Sequence, residues 1–256
     1  MRRRMRFLTE IGLAFILVAQ LLVQPAAAYR QGNADVMCDN QAHENMEEVT
    51  RAAGASNGNL LKTVTGVIAQ NPLRQRDENL NCDGELFGTG VTVFFVNGSG
   101  QLTGRYVHAG WDRYDPGFTR DGHIWEGWNG SIWHGGSCAG GCLDQFPRAF
   151  YSSTCKYKVN LVSGTTDWKA WVSCDGDPYV LLSTFVSTGY TRGVATTTTY
   201  RRGGVSTGMT DSFSQLQYRN ANDVWTDWPR NVNYLDNASN WHAANIYPQV
   251  YSVIKD

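Results

Sequence analysis

The 256-residue chain is short of charge: 18% of its residues are Asp, Glu, Lys or Arg, and the formal net charge is −1. That scarcity excludes a highly charged disordered chain and a strongly basic nucleic-acid binder. Proline is sparse as well, 7 residues against 27 Gly, and the glycines follow no three-residue period, so a collagen-like chain is excluded. Beyond residue 28 no apolar run approaches the roughly 20 residues that span hydrocarbon. What is abundant is aromatic: 9 Trp, 12 Tyr and 10 Phe.

The amino terminus reads as a secretory signal. Arg2, Arg3, Arg4 and Arg6 form a cationic head, Ile11 to Val23 an uncharged and mostly apolar stretch, and Ala26-Ala27-Ala28 a small-residue cleavage site. Gln24-Pro25 ends the apolar stretch before it could anchor the chain. Residues 1–28 carry four Arg and one Glu, so cleavage there leaves 228 residues and a formal charge of −4. A secreted, extracellular protein is expected, with no membrane span after signal removal and no nucleic-acid partner beyond what a local basic patch would allow.

Six cysteines, all after the signal, suit that compartment and read as three disulfides. Zinc fits less well, because Cys138 and Cys142 are the only close pair and no His stands at finger spacing. Cys155 to Val162 and Asp167 to Cys174 flank Ser163-Gly164-Thr165-Thr166, a hairpin signature. Centring a two-residue turn on Gly164-Thr165 puts Cys155 opposite Cys174. It also gathers Tyr157, Val159 and Leu161 with Val172, Ala170 and Trp168 on one face, and the lysines on the other; a slip by one residue would mix the faces. Opposed strand positions are close enough for a disulfide. The remaining cysteines are assigned as Cys38 with Cys82 and Cys138 with Cys142.

The fold class expected is mainly β: an antiparallel sandwich or barrel built from hairpins, disulfide-stapled, with a short N-terminal helix. The helix is placed at Asp39 to Ala53, capped by Asp39 or Asn40 and stopped by Gly54. A second over Leu60 to Gln70 is weakened by its β-branched residues. Residues 29–80 therefore read as a helical or irregular segment, and 81–256 as one β-rich domain. Val91 to Val96 and Gln101 to Val107 form an expected hairpin with Val91, Val93 and Phe95 opposite Tyr106, Gly104 and Leu102. Tyr179 to Val186 and Tyr190 to Arg201 form another, turning at Thr188-Gly189. Thr196 to Thr199 suits an exposed strand face, and later strands fall near Ser212 to Arg219, Val224 to Trp228 and Tyr247 to Ile254.

Motif matches are weakened by context. Gly98, Gly100 and Gly104 lie between strands, not between strand and helix, so no dinucleotide loop is expected. Gly204-Val205-Ser206-Thr207-Gly208 matches the nucleophile pattern of serine esterases, and Asp236 and His242 follow in the right order, but no helix follows Ser206 to form the strand-to-helix elbow. Asn97, Asn129 and Asn237 begin N-x-S sequons.

Tyr106 to His134 concentrates the chemistry: Trp111, Trp125, Trp128 and Trp133, with Tyr106, Tyr114, Phe118, His108, His123, His134, Asp112, Asp115, Asp121 and Glu126. Flat aromatic faces beside carboxylates are what a sugar-binding surface needs, although buried tryptophans also fill cores. On a strand, Asp121, His123 and Trp125 share one side, and Ile124 and Glu126 the other. The candidate ligand site is Trp111, Tyr114, Asp121, His123, Trp125, Glu126, Trp128 and Trp133. A hydrolase would use Glu126 as acid with Asp121 or Asp112 as partner. Zinc on His108, His123 and His134, or calcium on Asp112, Asp115 and Asp121, lacks motif spacing, so neither metal nor cofactor is expected. The reading leans to a binding protein for an extracellular glycan or cell-wall polymer over an extracellular hydrolase, which would be glycosidase-like or an esterase at Ser206. A secreted toxin, inhibitor or structural protein is the third class.

Overall fold

The computed structural model describes residues 46–72, 86–114, 120–130, 133–137, 154–202, 210–236, 241–247 and 249–255, all within the compact unit Met37–Asp256. The expected signal, the cysteines 38, 82, 138 and 142, and Ser206 lie outside the described residues. Among the described residues there are fifteen strands and no helix. They run β1 (Met46–Gly54), β2 (Gly66–Pro72), β3 (Leu86–Val96), β4 (Leu102–Tyr114), β5 (Arg120–Trp128), β6 (Trp133–Ser137), β7 (Thr154–Leu161) and β8 (Asp167–Cys174). The rest are β9 (Val180–Val186), β10 (Gly193–Arg202), β11 (Thr210–Arg219), β12 (Trp225–Asp227), β13 (Arg230–Asp236), β14 (Trp241–Tyr247) and β15 (Val250–Lys255).

These strands form two antiparallel sheets. The front sheet has the order β13-β1-β10-β3-β4-β5-β6, and the back sheet β14-β15-β11-β2-β7-β8-β9, with β12 paired to β11. Period-two patterning explains the sandwich: Val91, Val93 and Phe95 of β3 and Val107, Ala109 and Trp111 of β4 point inward, where they join Tyr157, Val159, Trp168, Ala170 and Val172 of the back sheet. Phe95 packs against Trp168 and Phe185 at ring-centroid distances of 5.1 and 6.3 Å.

One charged group is built into this core. Asp211 on β11 accepts hydrogen bonds from the hydroxyls of Thr89 (2.6 Å) and Thr199 (2.6 Å) on the front sheet. Its other oxygen accepts from Asn71 Nδ2 (2.7 Å) and the Ser212 amide (2.9 Å). Burial pushes its carboxyl above the usual carboxylate range, and the four hydrogen bonds pull it back in part.

The β7–β8 hairpin has the register deduced from its alternation. Cys155 stands opposite Cys174, bonded to it at a Cα separation of 4.0 Å, and Leu161 stands opposite Trp168. The turn itself differs: Thr165 N–H donates to Val162 O (3.1 Å), and Gly164 at φ 76° takes the second central position. The bridge closes a loop of sequence separation 19. Replacing both cysteines by Ala is expected to lower the unfolding free energy by about 3 kcal/mol in urea titrations, the loss of a constraint on the unfolded chain.

Five expectations are corrected. Residues 46–54 are strand β1, not the end of a helix over Asp39 to Ala53; pairing on both edges with β10 and β13 outweighs the weak helical pattern. Residues 66–72 are likewise strand β2, between β7 and β11. The β3–β4 hairpin pairs Val91 with Ala109 and Val93 with Val107, because a bulge at Phe94/Val96, eased by Gly104 at φ 70°, absorbs residues that the simple register would have paired. The segments around Thr188-Gly189 form no hairpin: β9 belongs to the back sheet and β10 to the front, and the chain crosses between them with Ser187 Oγ bonded to Thr166 O and Tyr190 O. Thr196 to Thr199 are buried, not exposed.

Candidate functional site

The outer face of the front sheet takes part of the segment Tyr106 to His134. With Val107 and Ala109 turned inward, alternation turns Tyr106 and His108 outward; with His123 inward, it turns Ile124, Glu126 and Trp128 outward. Antiparallel register then aligns these residues in rows. One row is aromatic: Phe94 opposite Tyr106, Tyr106 opposite Trp128, and at backbone level Trp128 opposite Trp133. Phe94, Tyr106 and Trp128 are all half-buried, and the first two rings lie 5.7 Å apart, tilted by 53°. From β3 to β5 the row spans about 10 Å.

The next row is polar: Thr196, Thr92, His108 and Glu126 stand in sequence across β10, β3, β4 and β5. Thr92 Oγ1 and His108 Nδ1 are 2.9 Å apart. The hydroxyl chain continues from Thr92 to Thr198 (3.4 Å) and from Thr198 to Thr50 (3.3 Å), all buried. Gly90 and Gly110, paired across β3 and β4, make room for the imidazole: a Cβ on them would lie 2.7 Å from His108 Cε1 and 2.6 Å from its Nε2. Burial lowers the His108 pKa to about 3, so its ring is neutral at ordinary pH. Glu126, half-buried, is its cross-strand neighbour on the side away from Thr92.

The sheet separates the candidate residues into two sets. Trp111 and His123 face the inter-sheet core, 5% and 0% exposed, and Trp125 packs against that core from a half-buried position. His123 Nδ1 lies 2.9 Å from Tyr157 Oη, and its Nε2 lies 3.8 Å from Cys174 Sγ; burial lowers its pKa to about 4. Glu126 and Trp128 face outward. Tyr114, Asp121 and Trp133 are described at backbone level, opposite Arg120, Arg113 and Trp128. His108 and His123 lie on opposite faces, so they do not share a metal site. Among the described residues, His123, Cys155 and Cys174 come within metal-binding distance of one another, but the two sulfurs are joined in the disulfide. Sequence reading overlooked Phe94 and the threonines of β10; the register of β3 with its neighbours was the missing signal.

The class so defined is a two-sheet antiparallel β-sandwich with an aromatic and polar outer face on one sheet. No family model matches the chain, and no curated protein does. Among solved structures it shares its fold with Scytalido-glutamic peptidase, solved with a peptide-based transition-state analog, at TM-score 0.52 and 9% identity, over 83% of this chain and 98% of that one. A functionally unknown protein from Saccharomyces cerevisiae aligns at TM-score 0.34 and 15% identity, over 57% of this chain and 74% of that one. A tetrameric galectin from the ball sponge Cinachyrella sp. aligns at 0.31 and 10%, over 63% of this chain and 90% of that one. No helix among the described residues is long and apolar enough to cross a membrane.

Proposed function

We propose that the protein is an exported, disulfide-stapled β-sandwich that binds an extracellular glycan or cell-wall polymer across the outer face of its front sheet. The observation that carries this reading is the row Phe94–Tyr106–Trp128, half-buried and immediately beside Glu126. Aromatic faces cover the apolar faces of sugar rings, and a neighbouring carboxylate accepts from their hydroxyls. At backbone level Trp133 stands opposite Trp128 at the β6 end of this row, whereas Asp121 has the parity of His123 and not of Glu126. Export rests on the signal-like residues 1–28.

A second reading is favoured by one further observation: Glu126 is next to His108, which is held by Thr92, in the middle of the same face. In that reading the bound polymer is cleaved, with Glu126 as the acid–base group, on a fold that a peptidase also uses. In the strand register its partners are His108 and Gly135, neither of them a carboxylate. Asp112 lies opposite Gly122, about 13 Å of strand from Glu126.

Retention on insoluble cellulose, chitin and cell walls tests the first reading. Wild type is expected to be retained on at least one, with Trp128→Ala and Tyr106→Ala each weakening binding about tenfold, the equivalent of about 1.4 kcal/mol. Retention on none, or unchanged binding by both folded variants, would refute it. Product release that disappears in Glu126→Gln while binding persists establishes the hydrolase.

A further inference from the structure

The outer face of the back sheet carries a different chemistry. Alternation along β7 and β8 buries Cys155, Tyr157 and Val159 and leaves Lys156, Lys158 and Asn160 outward, opposite Ser173, Trp171 and Lys169. Three of the chain's five lysines therefore meet on one small surface. Two of them, Lys158 and Lys169, lie over rings. Lys158 Nζ lies 3.8 Å from the centroid of Tyr179 and 4.8 Å from that of Trp171, and Lys169 Nζ lies 5.6 Å from Trp171. Trp171 is itself fixed by donating from Nε1 to Asn160 Oδ1 at 2.9 Å.

Among the described residues, no carboxylate comes within ion-pair distance of Lys156, Lys158 or Lys169. Asp223 is paired with Arg219 at 3.1 Å, and Arg219 also donates to Leu161 O and Ser163 Oγ. Asp167 lies two positions from Lys169 at the end of β8. Half-burial and the nearby Arg219 charge hold the Lys158 ammonium below its usual pKa. Strand geometry puts Lys156 about 7 Å from Lys158 along β7 and Lys169 about 8 Å from Lys158 on the diagonal, with Lys156 and Lys169 about 14 Å apart.

We propose that this face, centred on Lys158 with Lys156 and Lys169, is a second binding surface, separate from the front sheet, for an anionic polysaccharide whose carboxylate or sulfate groups bridge the three ammonium groups. A nucleic acid fits it less well. The ring faces that would stack on bases are covered by lysine ammonium groups, and Arg219 is committed to other partners. Ammonium point charges held on aromatic platforms suit single anionic groups repeated along a flexible chain.

The test is binding of the purified protein to polygalacturonate and to heparin at 50 and 300 mM salt, beside duplex DNA. The expected result is binding to one or both polysaccharides that weakens with salt, falls about fivefold in Lys158→Gln and about a hundredfold when all three lysines become Gln, and is retained in Lys158→Arg. Thermal melts of each variant confirm folding. Failure of wild type to bind either polysaccharide at low salt, or unchanged binding by the folded triple variant, overturns the proposal. Tighter, lysine-dependent binding to the DNA overturns it too, by moving the surface to nucleic acid.

Discussion

Asp211→Leu is expected to lower the unfolding free energy by about 3–5 kcal/mol, as for a buried charge network stripped of one partner. The reason lies less in the lost carboxylate than in what it leaves behind. Thr89, Thr199, Asn71 and the Ser212 amide all aim donors at it from four strands and both sheets. A leucine of similar size satisfies none of them, and water has no open route to a residue 7% exposed. For a domain of this size the loss corresponds to a fall of about 10–15 °C in Tm. Asp211→Asn keeps acceptor capacity on one oxygen and is expected to lose about half as much. Thermal and urea denaturation of the two variants measures this directly; Leu and wild type melting within about 3 °C of each other would show that the carboxylate does not join the sheets.

Much of the fold was legible wherever the pattern was self-checking. In β7 and β8 two alternating runs, a glycine turn and two cysteines all had to agree, and only one register satisfied them. The alternation of β5 likewise placed His123 and Trp125 on one side and Glu126 on the other. Legibility failed where the deciding contact was non-local. Residues 46–54 carry a weak helical pattern, and only β10 and β13, far away in sequence, make them a strand. Thr196 to Thr199 look like a solvent face because threonine is polar. Their burial follows from hydrogen bonds to Thr92, Asp211 and Thr50 that no local window contains. The turn at Thr188-Gly189 shows the same limit: glycine marks a reversal, but whether the chain pairs back or crosses to the other sheet is set by the core it must cover. The candidate site was legible as a segment and not as a surface, because its rows run across strands whose register was not known.

Acid is expected to weaken the fold in a window set by two histidines, one in the core and one in the candidate site. His108 and His123 are held neutral by burial, with pKa values lowered from 6.5 to about 3 and about 4. In the unfolded chain both return to the ordinary value and take up protons near pH 6.5. A depressed folded pKa means that the stabilisation is complete above about pH 6.5 and is lost as pH falls from there toward the folded values. Between pH 7 and 5 each histidine is expected to cost about 2 kcal/mol, about 4 for the pair. Asp211 works in the opposite direction: its raised pKa makes its ionised form a burden at neutral pH that protonation relieves as pH falls. Wild type is therefore expected to lose several degrees of Tm over this range, His108→Gln about half as much, and the double variant with His123→Gln much less, since neither imidazole then contributes to the slope. Melting curves from pH 7 to pH 5 decide the matter, and a wild-type Tm that stays level while the variants follow it would sink the argument. The same measurement bears on the outer face. His108, held neutral beside Thr92, does not change its charge between pH 7 and pH 5 in the folded protein, so a binding or cleavage profile that changes in that range is not set by this imidazole.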